Sequence, residues 1–559
     1  MSQVSHTDVL VIGAGPAGLM TAVCLSRLNI PYRIIDRRLP EESAGQGDGI
    51  QPRTIEMWDS VGMGEKLRQT GFHLHRMVTY EANDDRSGIK ATKQGPNIST
   101  SSARHPFEVL LEPKDIERLM RESLSERDVQ VEQPVVPQQF RIINDSRPTG
   151  EYVVEVTCVH LKAEHVRTSH LPLTSRNELA DLPECVETVE SIRAKYVVGC
   201  DGAHSWVRHQ CGITMEDLGG EALANDWNAA MGEVWGAMDL KPITDFPTLL
   251  AKNIIQSPLA GLLGTVPRPD SRMRIYARFQ NDPIGNDGKT SAVQLADILM
   301  ATFVRGFQPY TIAAEDITWC SLYRVRQGIA STFSHAQRIF IAGDACHVHS
   351  PNAGQGLNVS MADAYNLAWK LAYTLRGRAG GPLLETYETE RRPCSITLIE
   401  LDKEIQRLMR SSNMTEQYMS LIERQNAFTS GIGVQYDSRL TVPDFQDLAC
   451  GLVLGQRLPH AEILRYDSWS RCSLLDTISY QMAFKLLIFP GDITLPAVGA
   501  SFREFIERCA SSKEVGNGDV QLGAILSVSH GTVLAEAGVV SEPVLRASQY
   551  VPRTLNTSD

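Results

Sequence analysis

Apolar positions along the chain fall into three kinds of run. Short continuous β-branched stretches, Asp8–Ile12 (DVLVI) and the YRII ahead of Asp36, predict strands buried on both faces. Between them Leu19, Val23, Leu25 and Leu28 recur at helical spacing, so the chain opens as strand, helix, strand. Ile116, Leu119, Met120 and Leu124 predict an amphipathic helix that starts after Pro113, a residue suited to a first turn. Residues 129–158 alternate like a β-meander. Residues 213–335 predict mixed strands, of which RMRIYARF (Arg272–Phe279) alternates most clearly. RIFIAG climbs as a strand to Gly343-Asp344, and LNVSMADAYNLAWKLAYTL and CSITLIELDKEIQRLM then predict long helices, a region that ends near residue 430. His160–Glu187 is polar and without period, which predicts a surface insertion with His160, His165 and His170 in solvent. The chain contains no internal repeat and no low-complexity tract.

Composition narrows the class. The 559 residues allow two to four domains, and 42% hydrophobic with 21% charged residues is an ordinary globular balance. A net charge of −12 argues against nucleic acid or an anionic membrane as partner. No apolar run approaches the ~20 residues of a membrane span. The start lacks the basic segment of a signal peptide, and the final TSD is not a peroxisomal address. Eleven cysteines without CxxC or metal-ligand spacing suit reduced thiols in a cytoplasmic protein with no metal site.

Chemistry enters at the first turn. Gly13, Gly15 and Gly18, with Ala14, Pro16 and Ala17 between them, form GxGxxG between a strand and a helix. The three glycines permit a tight turn, backbone approach to a pyrophosphate, and close helix–strand packing. The helix N-terminus presents amides to the phosphates. Asp36, 23 residues past Gly13, is placed to accept from a ribose 2′-OH and repels a 2′-phosphate, with Arg37 beside it. This is a dinucleotide site, for FAD or NAD.

A second acid-ended strand runs into GDACHVHSPNAGQGLN. It would be redundant for NAD, whereas FAD has a ribitol and a ring that outreach the first turn. Asp344, after Gly343, can accept from ribitol hydroxyls. Gly354 and Gly356 let the backbone approach a flat ring, and the helix beginning at Leu357-Asn358 turns its positive end to it. His347 and His349 flank this loop in hydrogen-bonding roles, and Cys346 is a packing residue.

With YVVGCDGAHSWVR (Tyr196–Arg208), these two segments together resemble the single-component FAD-dependent aromatic hydroxylases. Within that family, GQGDGIQPRTIEMWDSVGM (Gly45–Met63) and GTVPRPDSRMRIYARFQ (Gly264–Gln280) are most similar to phenol 2-monooxygenases, fungal relatives included. The resemblance covers roughly residues 5–490. It implies an α/β fold: a Rossmann-type FAD-binding domain (1–75, 113–212 with an insertion at 160–190, and 338–430) interleaved with a mixed β-sheet substrate domain (76–112 and 213–337). A thioredoxin-like domain follows over 445–559, with a tail unlike that of relatives, a structural role and dimer contacts. The resemblance also places Gln46, Asp201 and Gly202 near FAD. It assigns the catalytic roles to Tyr276, contacting the substrate hydroxyl, to Asp48, steering or accepting its proton, and to Arg268, stabilising the anion. The implied reaction is NADPH- and O2-dependent hydroxylation of a phenolic substrate through a flavin hydroperoxide, in secondary metabolism. A flavin-dependent epoxidase or Baeyer–Villiger-type oxygenase, an oxidase or reductase, and a non-catalytic flavoprotein share the scaffold. The chain departs from the family at Glu112-Pro113, where relatives carry Asn-Gln or Ser-Gln beside the flavin.

Overall fold

The computed structural model describes residues 3–42, 47–143, 151–169, 171–223, 233–280, 283, 292–409, 414–465, 468, 470–518, 520–526 and 550–552. They divide into two compact units, residues 1–101 with 105–457 and residues 102–104 with 458–559.

In the first unit the β-branched runs become the centre of a parallel sheet. Gln3–Ile12 lies between Tyr32–Ile35 and Val186–Gly199, and Ile339–Ile341 adds to the far side. Val9, Leu10 and Val11 are fully buried, as a strand covered on both faces requires. Helix Pro16–Arg27 packs across this sheet and against helix Gly356–Leu375. Register decides the site. Ile12 pairs with Gly199, and Gly199 pairs with Ile341, so three loops far apart in sequence leave the sheet from the same rung.

The second sheet carries Arg76–Ala82, Ile89–Pro96, Glu233–Thr244, Lys252–Ser257, Gly261–Pro267, Met273–Phe279 and Ile312–Val325. Strict alternation gives it two faces. Met273, Ile275 and Ala277 pack with Met238, Leu240 and Leu263 beneath helix Ala292–Gly306, which contributes Leu299 and Phe303. On the opposite face Met77, Trp235 and Leu262 pack with Tyr276 and Tyr323 against helices Gly381–Leu408 and Met414–Arg424.

The expected surface insertion differs from the sequence reading. Residues 163–169 form a helix and 173–181 a 3-10 helix, and Val166, Leu179 and Cys185 close a small core with Val136, Val159 and Leu161. Three apolar residues spread over twenty leave no period to detect, yet suffice for a satellite core under a long loop. His160 is not simply solvated, since its Nε2 lies 2.7 Å from Glu190. His170 lies outside the described residues. Glu132, His160 and Glu190 are spaced as metal ligands would be, but Arg33 donates to both carboxylates and already supplies the cation.

In the second unit Phe484–Gly491 and Val520–Leu526 run parallel, with helix Pro496–Ala510 between them in sequence. Glu462–Arg465, Arg471–Ser473 and Tyr550–Pro552 extend the sheet, over a small core of Ile463, Leu474 and Ile525. The rest of the unusual C-terminal tail lies outside the described residues. Among the described residues no helix is long and apolar enough to cross a membrane.

Candidate active site

The glycine turn shows which of its glycines serve packing and which serve a ligand. A Cβ at Gly18 would sit 1.8 Å from the Gly13 carbonyl oxygen, and one at Gly13 (φ +101°) would sit 2.4 Å from that of Cys200. A Cβ at Gly15 would meet nothing within 4 Å. Gly15 caps the N-terminus of helix Pro16–Arg27, so the one open position lies where a phosphate would approach the helix amides. Ala14 and Ala17 are buried in the turn.

Asp36 is buried behind that turn. It accepts from Ala14 N at 2.6 Å and from Arg38 N at 2.8 Å, and Arg38 Nη2 returns a bond to the Ala14 carbonyl at 2.8 Å. Burial raises the Asp36 pKa, but Arg38 and the two amides outweigh it and hold the carboxyl below its ordinary value. Arg38 Nε at 3.1 Å and Nη2 at 3.2 Å bring the bonds that Asp36 accepts to four, which fills the roughly four acceptor sites of a carboxylate. Asp36 therefore braces the turn, and a ribose hydroxyl would have to take the place of one of these donors. The sequence reading missed Arg38, which also donates to buried Glu117 at 3.0 Å. Arg37 is half-buried with its charge near Asp201 and Asp36. Gln46 lies outside the described residues.

Both other loops meet this turn. Asp201 accepts from Ser205 Oγ at 2.5 Å and Val207 N at 3.0 Å, so its carboxylate caps helix Trp206–Gln210. Gly202 (φ +82°) follows with open space above it. Gly343 packs between Ala17 and Ser360, and its N–H donates to Asp363 at 3.1 Å. Asp363, fully buried, also binds His347 Nε2 at 2.8 Å and Arg391 Nε at 2.7 Å. Cys346 is fully buried as well. Asp344, by contrast, is exposed at the end of its strand. An open helix N-terminus, an exposed acid and an open Gly202 around one sheet edge fit FAD.

Gly354 (φ +62°) and Gly356 complete the flavin loop, with His349 Nε2 3.5 Å from a Cβ placed on Gly356. Burial lowers the His349 pKa and keeps the ring neutral. Leu357 is buried at the start of the helix. Asn358 does something the sequence did not show. Its Oδ1 accepts from Gln51 N at 2.8 Å and its Nδ2 donates to the Gly49 carbonyl at 2.9 Å. The side chain expected at the cofactor is occupied in clamping the segment that carries Asp48.

That segment, Gly49–Ile50, pairs with Val109–Leu110, and Leu111 N donates to the Asp48 carbonyl at 2.9 Å. Asp48 Oδ2 then meets the substrate-sheet face. Tyr276 OH donates to it at 2.9 Å, Arg268 Nη2 donates to it, and Arg274 Nη1 lies 3.5 Å away. The three residues named from sequence do converge. Arg274 was missed, although it shares the face of Tyr276 two residues on. It forms two 2.6 Å bonds with buried Asp239 and stacks over Trp319 at 4.6 Å. Burial raises the Asp48 pKa, but the Arg268 and Arg274 charges win and hold it at about 2. Burial, with the Asp48 charge, pushes the Tyr276 phenol up, so it stays protonated. Arg268 is 2% exposed, and its Nε and Nη1 have no hydrogen-bond partner among the described residues. A buried donor without an acceptor costs about 1–3 kcal/mol and marks a place for a ligand oxygen.

Lys252 was also missed. Its Nζ lies 4.0 Å from Glu108 and 4.0 Å from a Cβ placed on Gly354, between the substrate sheet and the flavin loop. Burial works against its charge, but Glu108 and Asp48 offset this and hold the ammonium above the usual lysine range.

The profile of the FAD binding domain family matches residues 6–140 and 176–402. The chain is 30% identical over 544 residues to the FAD-dependent monooxygenase terD of Aspergillus terreus, covering 95% of this chain and 79% of the relative. It is 32% identical over 499 residues to the phenol 2-monooxygenase fsqG of Aspergillus fumigatus, covering 88% and 76%. Its fold matches the OxyS anhydrotetracycline hydroxylase of Streptomyces rimosus with a TM-score of 0.64 at 20% identity, over 99% of this chain and 97% of that one. It matches the flavin-dependent monooxygenase PieE, solved with FAD and substrate, with a TM-score of 0.67 at 19% identity, over 95% and 92%. With the glycine turn, the acid-ended strands and the flavin loop on one sheet edge, this chain belongs to the FAD-binding-domain family of FAD-dependent monooxygenases.

Proposed function

We propose that the protein hydroxylates a phenolic substrate of secondary metabolism, with NADPH as reductant and O2 as oxygen source. One observation carries this reading: a tyrosine hydroxyl, fixed by an ionised aspartate, faces a buried arginine with unused donors. FAD, when bound, supplies the activated oxygen. Tyr276 gives its proton to the bond with Asp48, so its oxygen lone pairs are left to accept from a substrate hydroxyl. Asp48, held at about 2, does not take that proton at neutral pH. Its fixed negative charge instead polarises Tyr276 and makes the tyrosine oxygen a stronger acceptor. The substrate hydroxyl keeps its proton in this bond, and Arg268 Nε and Nη1 provide donors for the partial negative charge that the bond draws onto the substrate oxygen. Trp235, Leu262 and Ala353 belong to the apolar cluster beside Tyr276 and help to keep water out.

This reading gives Asp48, Arg268 and Tyr276 the catalytic roles. Asp344, Asp201, Arg37, Gln46, the glycine turn and the Gly354–Asn358 loop surround FAD, with Asn358 acting through the Asp48 segment. NADPH acts without a dinucleotide turn of its own. The protein would work in the cytoplasm, and its C-terminal unit is read as a thioredoxin-like domain without redox function that serves dimer contacts. The parallel pair Phe484–Gly491 and Val520–Leu526 with an intervening helix supports that reading. The test is product analysis of a phenol panel under labelled dioxygen. One labelled ring hydroxyl per NADPH is expected. Label in an epoxide or ester would assign a different oxygenase, and NADPH oxidation without labelled product would reject oxygen insertion.

A further inference from the structure

Helix Gly356–Leu375 places Ser360 against Gly343 and the flavin loop. Val359, Ala362, Tyr365, Asn366 and Trp369, recurring at helical spacing, line instead a cavity of about 310 Å³. The volume lies at the small end of ligand pockets. Met57, Phe428 and Tyr436 add further apolar and aromatic wall.

The charges around this cavity are unequally matched. Glu390 is paired with Lys370 at 2.6 Å, and Arg391 with Asp363 at 2.7 Å. Arg53 and Arg457, both lining the cavity, share a single oxygen of Glu56, each at 3.2 Å. Burial lowers the Arg457 pKa most, and of the charged groups acting on it among the described residues Glu56 raises it and Arg53 lowers it. Two guanidinium groups on one carboxylate leave that end biased toward an anion, and a planar guanidinium suits a carboxylate. Asn366 is 6% exposed. Its Nδ2 donates to Glu390 at 2.7 Å, while its Oδ1 is buried with no hydrogen-bond partner. The cavity therefore offers aromatic walls and a cationic end to a carboxylate, while Asn366 Oδ1 can serve only a donor carried elsewhere on the ligand.

We propose that this cavity is a second binding site, for a small aromatic carboxylate, separate from the Asp48–Arg268–Tyr276 site. The two share a wall, because Val359 and Phe428 also pack on the apolar cluster beside Tyr276. They share none of the three catalytic side chains.

The probe is benzoate, which has no ring hydroxyl to be activated. FAD-loaded enzyme titrated calorimetrically should bind it saturably. Arg53→Met with Arg457→Met should weaken binding at least tenfold. Ala362→Phe, which fills the cavity and keeps every charge, should abolish it at normal FAD content, and so decides the matter if the arginine variant does not fold. Tyr276→Phe should leave binding unchanged. Absence of saturable binding would overturn the proposal. So would binding that survives Ala362→Phe, or that is lost in Tyr276→Phe, because benzoate would then occupy the catalytic site.

Discussion

Replacing Tyr276 with phenylalanine removes a single oxygen from the site and almost no volume. That oxygen donates to Asp48 at 2.9 Å in a setting where Asp48 is ionised, so the lost bond is charge-assisted. Bonds to charged groups contribute about 1.5–3 kcal/mol net. If the bond matters mainly as the support for the substrate hydroxyl, oxygen transfer should slow roughly ten- to a hundred-and-fifty-fold. Asp48 keeps Arg268 and Arg274, so the fold and FAD content should hold. The assay follows NADPH loss, product and hydrogen peroxide together. NADPH oxidation should continue while product per NADPH falls and peroxide rises to match. Product per NADPH equal to wild type, in a variant with normal FAD content, would refute the role of Tyr276.

The glycine turn gives a contrast: Gly18→Ala should fail to fold, its Cβ having backbone at 1.8 Å, whereas Gly15→Ala should fold with the melting temperature of FAD-free wild type and lose FAD. Equal melting temperatures in the two would contradict the packing described. Asp344→Ala should weaken FAD at least tenfold by equilibrium dialysis, through loss of a charge-assisted contact of about 1.5–3 kcal/mol. Because the Asp48 pKa is depressed, its stabilising charge is present above the unfolded value near 3.8 and is lost as pH falls through about 2. That contribution is roughly 2 kcal/mol. Denaturant titrations from about pH 5 to about pH 2 should show a steeper acid loss in wild type than in Asp48→Asn, and parallel curves would exclude it. Lys252→Met should raise KM for phenols bearing a carboxylate and spare neutral phenols, as measured across paired substrates.

The sequence was most readable where chemistry demands backbone. Gly13, Gly18 and Gly343 mark close approaches that tolerate no Cβ, and such constraints leave glycines at fixed spacing. The proposed catalytic trio was named only through resemblance, because a Tyr on a strand and an Asp in a turn have many ordinary uses. Arg274 carried a signal that went unread: an alternating strand put it on the Tyr276 face, and a charge beside apolar neighbours at that period implies a buried partner. Lys252 and Asp239 carry none, since their partners come from other strands and from a loop. Asp36 and Asn358 have more local duties than expected. An acid or amide beside a ligand must itself be held, and the sequence does not say by what. The satellite core under residues 163–185 was invisible for want of period.

The shared rung of Ile12, Gly199 and Ile341 also bears on how the chain is made. The last of these strands leaves the ribosome only after more than half of the chain has been synthesised. Parallel pairing over such separations is slow, since loop closure must be overcome before any contact rewards it. A nascent chain that ends short of Ile339 lacks the strand and loop that complete the cleft around the glycine turn. Flavin is therefore expected to bind only after most of the first unit has been synthesised. It captures the sheet once assembled and, binding only that state, protects it by mass action. In cells short of flavin, the penalty should appear as faster loss of completed protein and not as slower synthesis.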